Sequence, residues 1–188
     1  MKILSGEFKG LHFYTPKDVA VTQSVVRKAV FDLLGQDLSG LTFVDLFAGS
    51  GSMGLEALSR GADYVVFIEK EFTFTKIIRE NIALMPLQPR IKGGPGYEII
   101  KGDAYFTIKE LSRQEKRFDI LFIDPPYVRQ MARKALKTLE AYDILQPNCT
   151  IMVQHEKHEI LPESQGRFLL YRQCKYGGTH LTIYKAES

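Results

Sequence analysis

Val44-Asp45-Leu46-Phe47-Ala48-Gly49-Ser50-Gly51-Ser52-Met53-Gly54 is the stretch on which the fold turns. It leaves an apolar, β-branched run (Thr42–Leu46), passes a glycine-rich turn, and enters a segment with helical spacing (Met53–Ser59). Glycines suit such a turn because a backbone that bends tightly and approaches a ligand has no room for Cβ. The helix that follows opens with unpaired N–H groups. Gly49-x-Gly51-x-x-Gly54 satisfies the dinucleotide fingerprint in its literal form. Glu69 lies twenty residues after Gly49, at the end of the next apolar run, placed to accept hydrogen bonds from ribose hydroxyls.

Working outward, short apolar runs alternate with amphipathic segments. Tyr64–Ile68, Ile99–Lys101, Asp119–Ile123 and Thr150–Gln154 read as further buried strands. Thr73–Leu84, Ala104–Leu111 and Met131–Tyr142 have helical spacing. This βαβα alternation predicts an α/β fold: a mostly parallel sheet with helices on both faces and its ligand rim at the strands' carboxyl ends. Phe168–Cys174 and His180–Tyr184, separated by a segment containing Gly177-Gly178, predict a C-terminal antiparallel hairpin. That sheet order is the one found in Rossmann-like, class I methyltransferases. Residues 1–36 read as an N-terminal extension packed on a main domain of residues 37–188. It holds a small hairpin (Ile3–Phe8, Leu11–Tyr14), a loop, and a helix near Ser24–Leu34.

Composition sets the class. The chain has 188 residues, 45% hydrophobic and 25% charged, with a net charge of +3. That is enough chain to bury a core without staples. Cys149 and Cys174 match neither a disulfide framework nor a zinc site. His155 and His158 lack the partners of a metal site, so no metal is expected. With no apolar run of membrane-spanning length and no signal-peptide core, a cytoplasmic protein without membrane contact is expected, as a monomer. The mild basicity is compatible with a polyanionic partner but does not identify one.

The glycine loop alone leaves two cofactors open. A nicotinamide oxidoreductase would use it for a pyrophosphate, but Asp45 at the strand's end would repel that group. The same charge suits the cationic, amino-bearing methionine end of S-adenosylmethionine. Lys101-Gly102-Asp103-Ala104 adds an acidic side chain after the third strand, placed for an adenine amino group and equally for capping the helix from Ala104.

Asp124-Pro125-Pro126-Tyr127 ends the fourth strand. Prolines stop the strand and hold carbonyls at the ligand rim. An exocyclic amino group on a base is a poor nucleophile because its lone pair is delocalised. The Asp124 carboxylate and the Pro125 carbonyl can accept its two hydrogens, and Tyr127 can stack on the base. The plain alternative is a proline turn with a capping acid and a packed tyrosine.

Across nearly its whole length the chain resembles the bacterial small-subunit (16S) ribosomal RNA guanine-N2 methyltransferases, the RsmD-like family. The resemblance rests on Ile3-Leu4-Ser5-Gly6-x-Phe8-Lys9-Gly10, Asp45–Gly51, Gly54-Leu55-Glu56-Ala57-Leu58-Ser59-Arg60-Gly61-Ala62 and Phe67-Ile68-Glu69-Lys70. Asn81, Gly102-Asp103-Ala104, Asp124–Tyr127 and Lys175-Tyr176-Gly177-x-Thr179-x-Leu181 also match. It implies S-adenosylmethionine as methyl donor and a guanine 2-amino group of ribosomal RNA as acceptor, within a small-subunit particle or an assembly intermediate. It implies Asp124, Pro125, Pro126 and Tyr127 as the catalytic turn. Asp45, Phe47, Gly49, Gly51, Glu69, Lys70, Asp103 and Ala104 are the candidate donor-binding residues. Where the family carries Arg-Pro before a threonine, this chain has Ala20-Val21-Thr22.

Candidate RNA contacts are weaker. Arg129, Arg133 and Lys137 fall at i, i+4, i+8 after the catalytic turn, either facing phosphates or forming a solvated face. Lys9, Lys17 and Arg27 in the extension, and Tyr176 and Thr179 at the closing hairpin, are further candidates. A DNA adenine amino methyltransferase is the rival within the class, though the chain has little to spare for a target-recognition domain. A non-catalytic RNA-binding or ribosome-assembly factor on the same fold is another.

Overall fold

The computed structural model describes residues 1–16, 24–87, 96–126 and 130–186. Among them one eight-stranded sheet runs in the order β3-β2-β1-β4-β5-β8-β7-β6. Its parallel part comprises β1 (Thr42–Asp45), β2 (Tyr64–Glu69), β3 (Tyr97–Lys101), β4 (Phe118–Ile123) and β5 (Leu145–Glu156). β6 (Ser164–Gln165), β7 (Phe168–Tyr176) and β8 (Thr179–Ala186) are antiparallel, with β8 seated against β5. Strand β1 pairs in parallel with both β2 and β4, so chain order reverses beside it. In open α/β sheets that reversal opens a crevice at the strands' carboxyl ends.

The helices are α1 (Ser24–Leu34), α2 (Ser52–Ser59), α3 (Phe72–Ala83), α4 (Ala104–Arg113) and α5 (Met131–Ala141). They cover the sheet in two layers. Phe43, Phe67 and Phe122 pack with Phe31, Leu58 and Ile78 of α1, α2 and α3. Their strand neighbours Val44, Ile68 and Leu121 pack with Ile108 and Leu136 of α4 and α5. Both faces of each central strand are therefore apolar, which is why these runs show no alternation in the sequence.

Three features depart from expectation. Strand β5 begins at Leu145, and its pairing with β4 shifts register between Phe118 and Ile120. Pro147 and the positive φ of Asn148 (64°) sit in that irregular stretch, so the sequence there reads as a turn. Strand β6 is two residues long, too short for periodicity to reveal. The expected N-terminal hairpin is reduced to a single bridge, Lys2 to His12.

Residues 1–16 instead form a strap fastened to α2. The amides of Leu4 and Ser5 donate to the Glu56 carboxylate at 2.9 and 3.0 Å. The Phe8 amide donates to Ser59 Oγ at 3.0 Å, and that hydroxyl donates to the Ser5 carbonyl at 2.7 Å. Gly6 has φ 85°, and a Cβ there would lie 1.9 Å from the Ser59 carbonyl oxygen. Only glycine fits so close an approach.

Arg27 corrects an expectation. Its side chain is buried rather than presented to RNA. Its Nε lies 3.6 Å from Glu56 Oε2, and its guanidinium donates to the Lys2 carbonyl at 2.9 Å. Glu56, fully buried, also pairs with Arg60 at 2.8 Å. A buried carboxylate shared by two guanidiniums and two backbone amides satisfies charges that would be very costly alone. Desolvation nevertheless lowers the Arg27 pKa against the opposing pull of Glu56.

Candidate active site

A cleft of about 640 Å³ opens at the carboxyl ends of the parallel strands. The glycine loop forms its floor. Gly51, left-handed at φ 84°, caps α2, and the Gly54 amide donates to Asp45 Oδ2 at 3.0 Å. The close approach is at Gly54, where a Cβ would stand 2.2 Å from the Phe67 ring. Glu69, ending β2, braces the loop from the side: one oxygen accepts the Gly49 amide at 2.7 Å, the other the Glu71 amide at 2.8 Å. Across the cleft Asp103 caps α4, accepting the Tyr105 and Phe106 amides at 3.0 and 3.2 Å. Both bonds use Oδ1, so capping and a second contact through Oδ2 are chemically compatible.

Phe47 lines the cleft and is backed edge-on by Tyr105, ring centroids 5.9 Å apart. The Tyr105 hydroxyl donates to the Met131 carbonyl at 3.2 Å, joining α4 to α5 beneath this wall. Asp124, Pro125 and Pro126 line the opposite side, with Pro125 buried and Pro126 exposed.

The electrostatics favour a cation. Asp45 is 2% exposed, and burial pushes its carboxyl up to about 7 against the Gly54 hydrogen bond, with Asp124 and Glu69 adding to the rise. Three carboxylates thus crowd one rim of the sheet, and a positive ligand there would relieve their repulsion. A pocket of this volume with apolar walls and a few convergent polar groups suits a nucleoside-sized ligand. Its acidic floor suits a sulfonium and an ammonium better than a pyrophosphate.

Residues 1–185 match the model of a protein family described as conserved hypothetical protein 95. Ribosomal RNA small subunit methyltransferase D of Haemophilus influenzae is 30% identical over 168 residues, covering 87% of this chain and 84% of that protein. The chain belongs to this family. Its backbone superposes on a solved Escherichia coli protein provisionally named a methyltransferase, with TM-score 0.84, 26% identity and coverage of 100% and 98%. An RNA methyltransferase of Salinibacter ruber, solved with S-adenosyl-L-homocysteine, shares the fold alone at 16% identity, TM-score 0.65, covering 90% of this chain and 95% of that one. The fold is the Rossmann-like methyltransferase fold, and the chain is a methyltransferase of this family.

Within that family frame, the structure gathers most of the residues named from sequence. Phe47, Gly49, Glu69, Lys70, Asp103, Ala104, Asp124, Pro125 and Pro126 line one cleft. Asp45, beneath the loop, and Gly51, at the N-cap of α2, do not line the cleft. Tyr127, Arg129, Lys17 and the Ala20–Val21 departure lie outside the described residues. Arg133 and Lys137 are exposed and line, with Gln130, Met131 and Lys134, a neighbouring hollow of about 500 Å³. Met131 belongs to both cavities. Lys9 is exposed on the strap; Tyr176 is half-buried against the core, and it is Thr179 that reaches the cleft.

Among the wall residues that sequence reading missed are Gln154, Val26 and Phe74. Gln154 is a buried amide on β5, signalled only as a polar residue closing the run Ile151-Met152-Val153. Val26, next to the anchored Arg27, and Phe74 of α3 look like ordinary core positions until their helices are placed.

Proposed function

We propose that the chain transfers a methyl group from S-adenosylmethionine to the exocyclic 2-amino group of a guanine in small-subunit ribosomal RNA. The observation that carries this is the convergence of the glycine loop, Glu69 and Asp103 with Asp124-Pro125-Pro126 on one cleft. The family relative in Haemophilus influenzae is named for the small-subunit activity. The guanine acceptor rests on the sequence resemblance.

The donor supplies an electrophilic methyl on a sulfonium. Glu69 would hold its ribose, Asp103 its adenine edge, and Phe47 an apolar wall beside it. Asp45, under the loop, supplies negative charge toward the cationic end. On the acceptor side the Asp124 carboxylate and the Pro125 carbonyl accept the two amino hydrogens, drawing the nitrogen lone pair out of ring conjugation and toward the methyl. Pro126 has no N–H to compete for those acceptors. Tyr127 would stack on the extruded base, and Arg133 and Lys137 would meet flanking phosphates. The protein would act in the cytoplasm, as a monomer, on a small-subunit particle or an assembly intermediate.

The test is transfer of a labelled methyl group to ribosomal RNA, naked and assembled into small subunits, followed by digestion to nucleosides. N2-methylguanosine is expected, and Asp124→Ala should slow transfer by roughly 100-fold or more with donor binding retained. Label in N6-methyladenosine, or undiminished transfer by Asp124→Ala, overturns the reading.

A further inference from the structure

Asn81 matches the family pattern, yet it has no part in the chemistry above. It lies on α3, fully buried, and its amide makes three bonds. Oδ1 accepts the Tyr14 amide at 2.9 Å; Nδ2 donates to the Tyr14 carbonyl at 3.0 Å and to the Ser50 carbonyl at 3.4 Å. Tyr14 is near the end of the strap and exposed, while Ser50 stands between Gly49 and Gly51 and lines the cleft. One side chain therefore grips both the strap and the donor loop.

The residue type is specific to that task. Accepting from an amide while donating two separate hydrogens to two carbonyls requires a carboxamide; aspartate offers no donor and serine one hydrogen. Among the described residues, the loop's other side-chain braces, Glu69 on Gly49 and Asp45 on Gly54, make no bond to the strap. The strap is also fastened to Glu56 and Ser59 on α2, beyond the loop, and to Arg27 on α1.

We propose that Asn81 is a positioning residue that couples the N-terminal strap to the donor-binding loop, so that filling the donor site stiffens the strap and a seated strap tightens the donor site. The proposal rests on the donor reading above. A shared hydrogen-bond node of two elements makes their order interdependent, and such coupling is reciprocal.

The experiment uses the full chain and S-adenosylhomocysteine, with amide hydrogen exchange read across residues 1–16 and affinity read by calorimetry. In the wild type, ligand should slow exchange at Tyr14 and its strap neighbours. In Asn81→Asp, which keeps the acceptor and loses both donations, ligand should leave strap exchange unchanged, and affinity should fall about fivefold or more. Asn81→Ala carries the same test should the aspartate variant not fold. Ser59→Ala loosens the strap without touching the loop, and it should keep the ligand-dependent slowing at Tyr14. Strap protection that ligand does not alter in the wild type, or alters equally in the Asn81 variants, overturns the coupling alone. Failure of the wild type to bind S-adenosylhomocysteine overturns the donor reading and the coupling together.

Discussion

Replacing Asp45 with asparagine separates the charge of that side chain from its shape. The wild-type carboxyl is raised from an ordinary 3.8 to about 7, chiefly because it is buried, with Asp124 and Glu69 nearby adding to the effect. The folded state therefore holds its proton more tightly than the unfolded chain does. Stability from this group is complete below the unfolded value, near pH 4, and is lost as pH rises through about 7. Above that, the ionised buried carboxylate costs at most about 4 kcal/mol. Asparagine keeps an oxygen for the Gly54 amide and carries no charge at any pH.

Thermal unfolding followed by circular dichroism from about pH 4.5 to 8.5 reads this directly. The two proteins should melt together at the acid end and diverge as pH rises, the variant becoming the more stable. At roughly 2–4 °C per kcal/mol for a chain of this size, the upper bound is about 8–16 °C at the alkaline end. Binding of S-adenosylmethionine should weaken in the same variant, since a charge favouring a cation is gone. Parallel pH profiles, or a variant less stable above neutrality, would refute the electrostatic account of the loop.

Glu56→Gln leaves two buried guanidiniums without their counter-charge and should cost roughly 3–5 kcal/mol. The melting temperature should drop by about 6–20 °C, and a calorimetric shift under about 2 °C would show that the triad is not an anchor. Arg133→Ala combined with Lys137→Ala should weaken RNA binding alike for all sequences. It should also reduce the slope of log affinity against log salt by nearly two, as measured by filter binding. An unchanged slope would assign both side chains to solvent.

The parallel core was legible because its central strands are buried on both faces and the loops after β1, β3 and β4 carry glycine, aspartate or proline. The same punctuation gave Asp124-Pro125-Pro126 and the glycine loop, whose roles depend on local backbone chemistry. Arg27 was misread for a reason of the same kind: charge usually marks a surface, and its partner Glu56 is twenty-nine residues away on another helix. Gln154 and Val26 face the cleft only because β5 lies beside β4 and α1 is pinned by Arg27. Neither fact is local to the residue concerned.

The family-matching residues divide by what they touch. Asp45, Glu69 and Asp124 gather at the rim, where their mutual repulsion favours a cationic ligand. Ser5, Gly6, Glu56, Ser59 and Arg60 touch no part of the cleft except through the strap and α1 they secure. A strap held by a buried ion triad costs desolvation that an apolar contact would avoid. Its directional bonds fix one register for the strap on α2, which an apolar contact would leave free to slide. Val26 thus brings α1 to the cleft wall, while Asn81 ties the strap to the glycine loop.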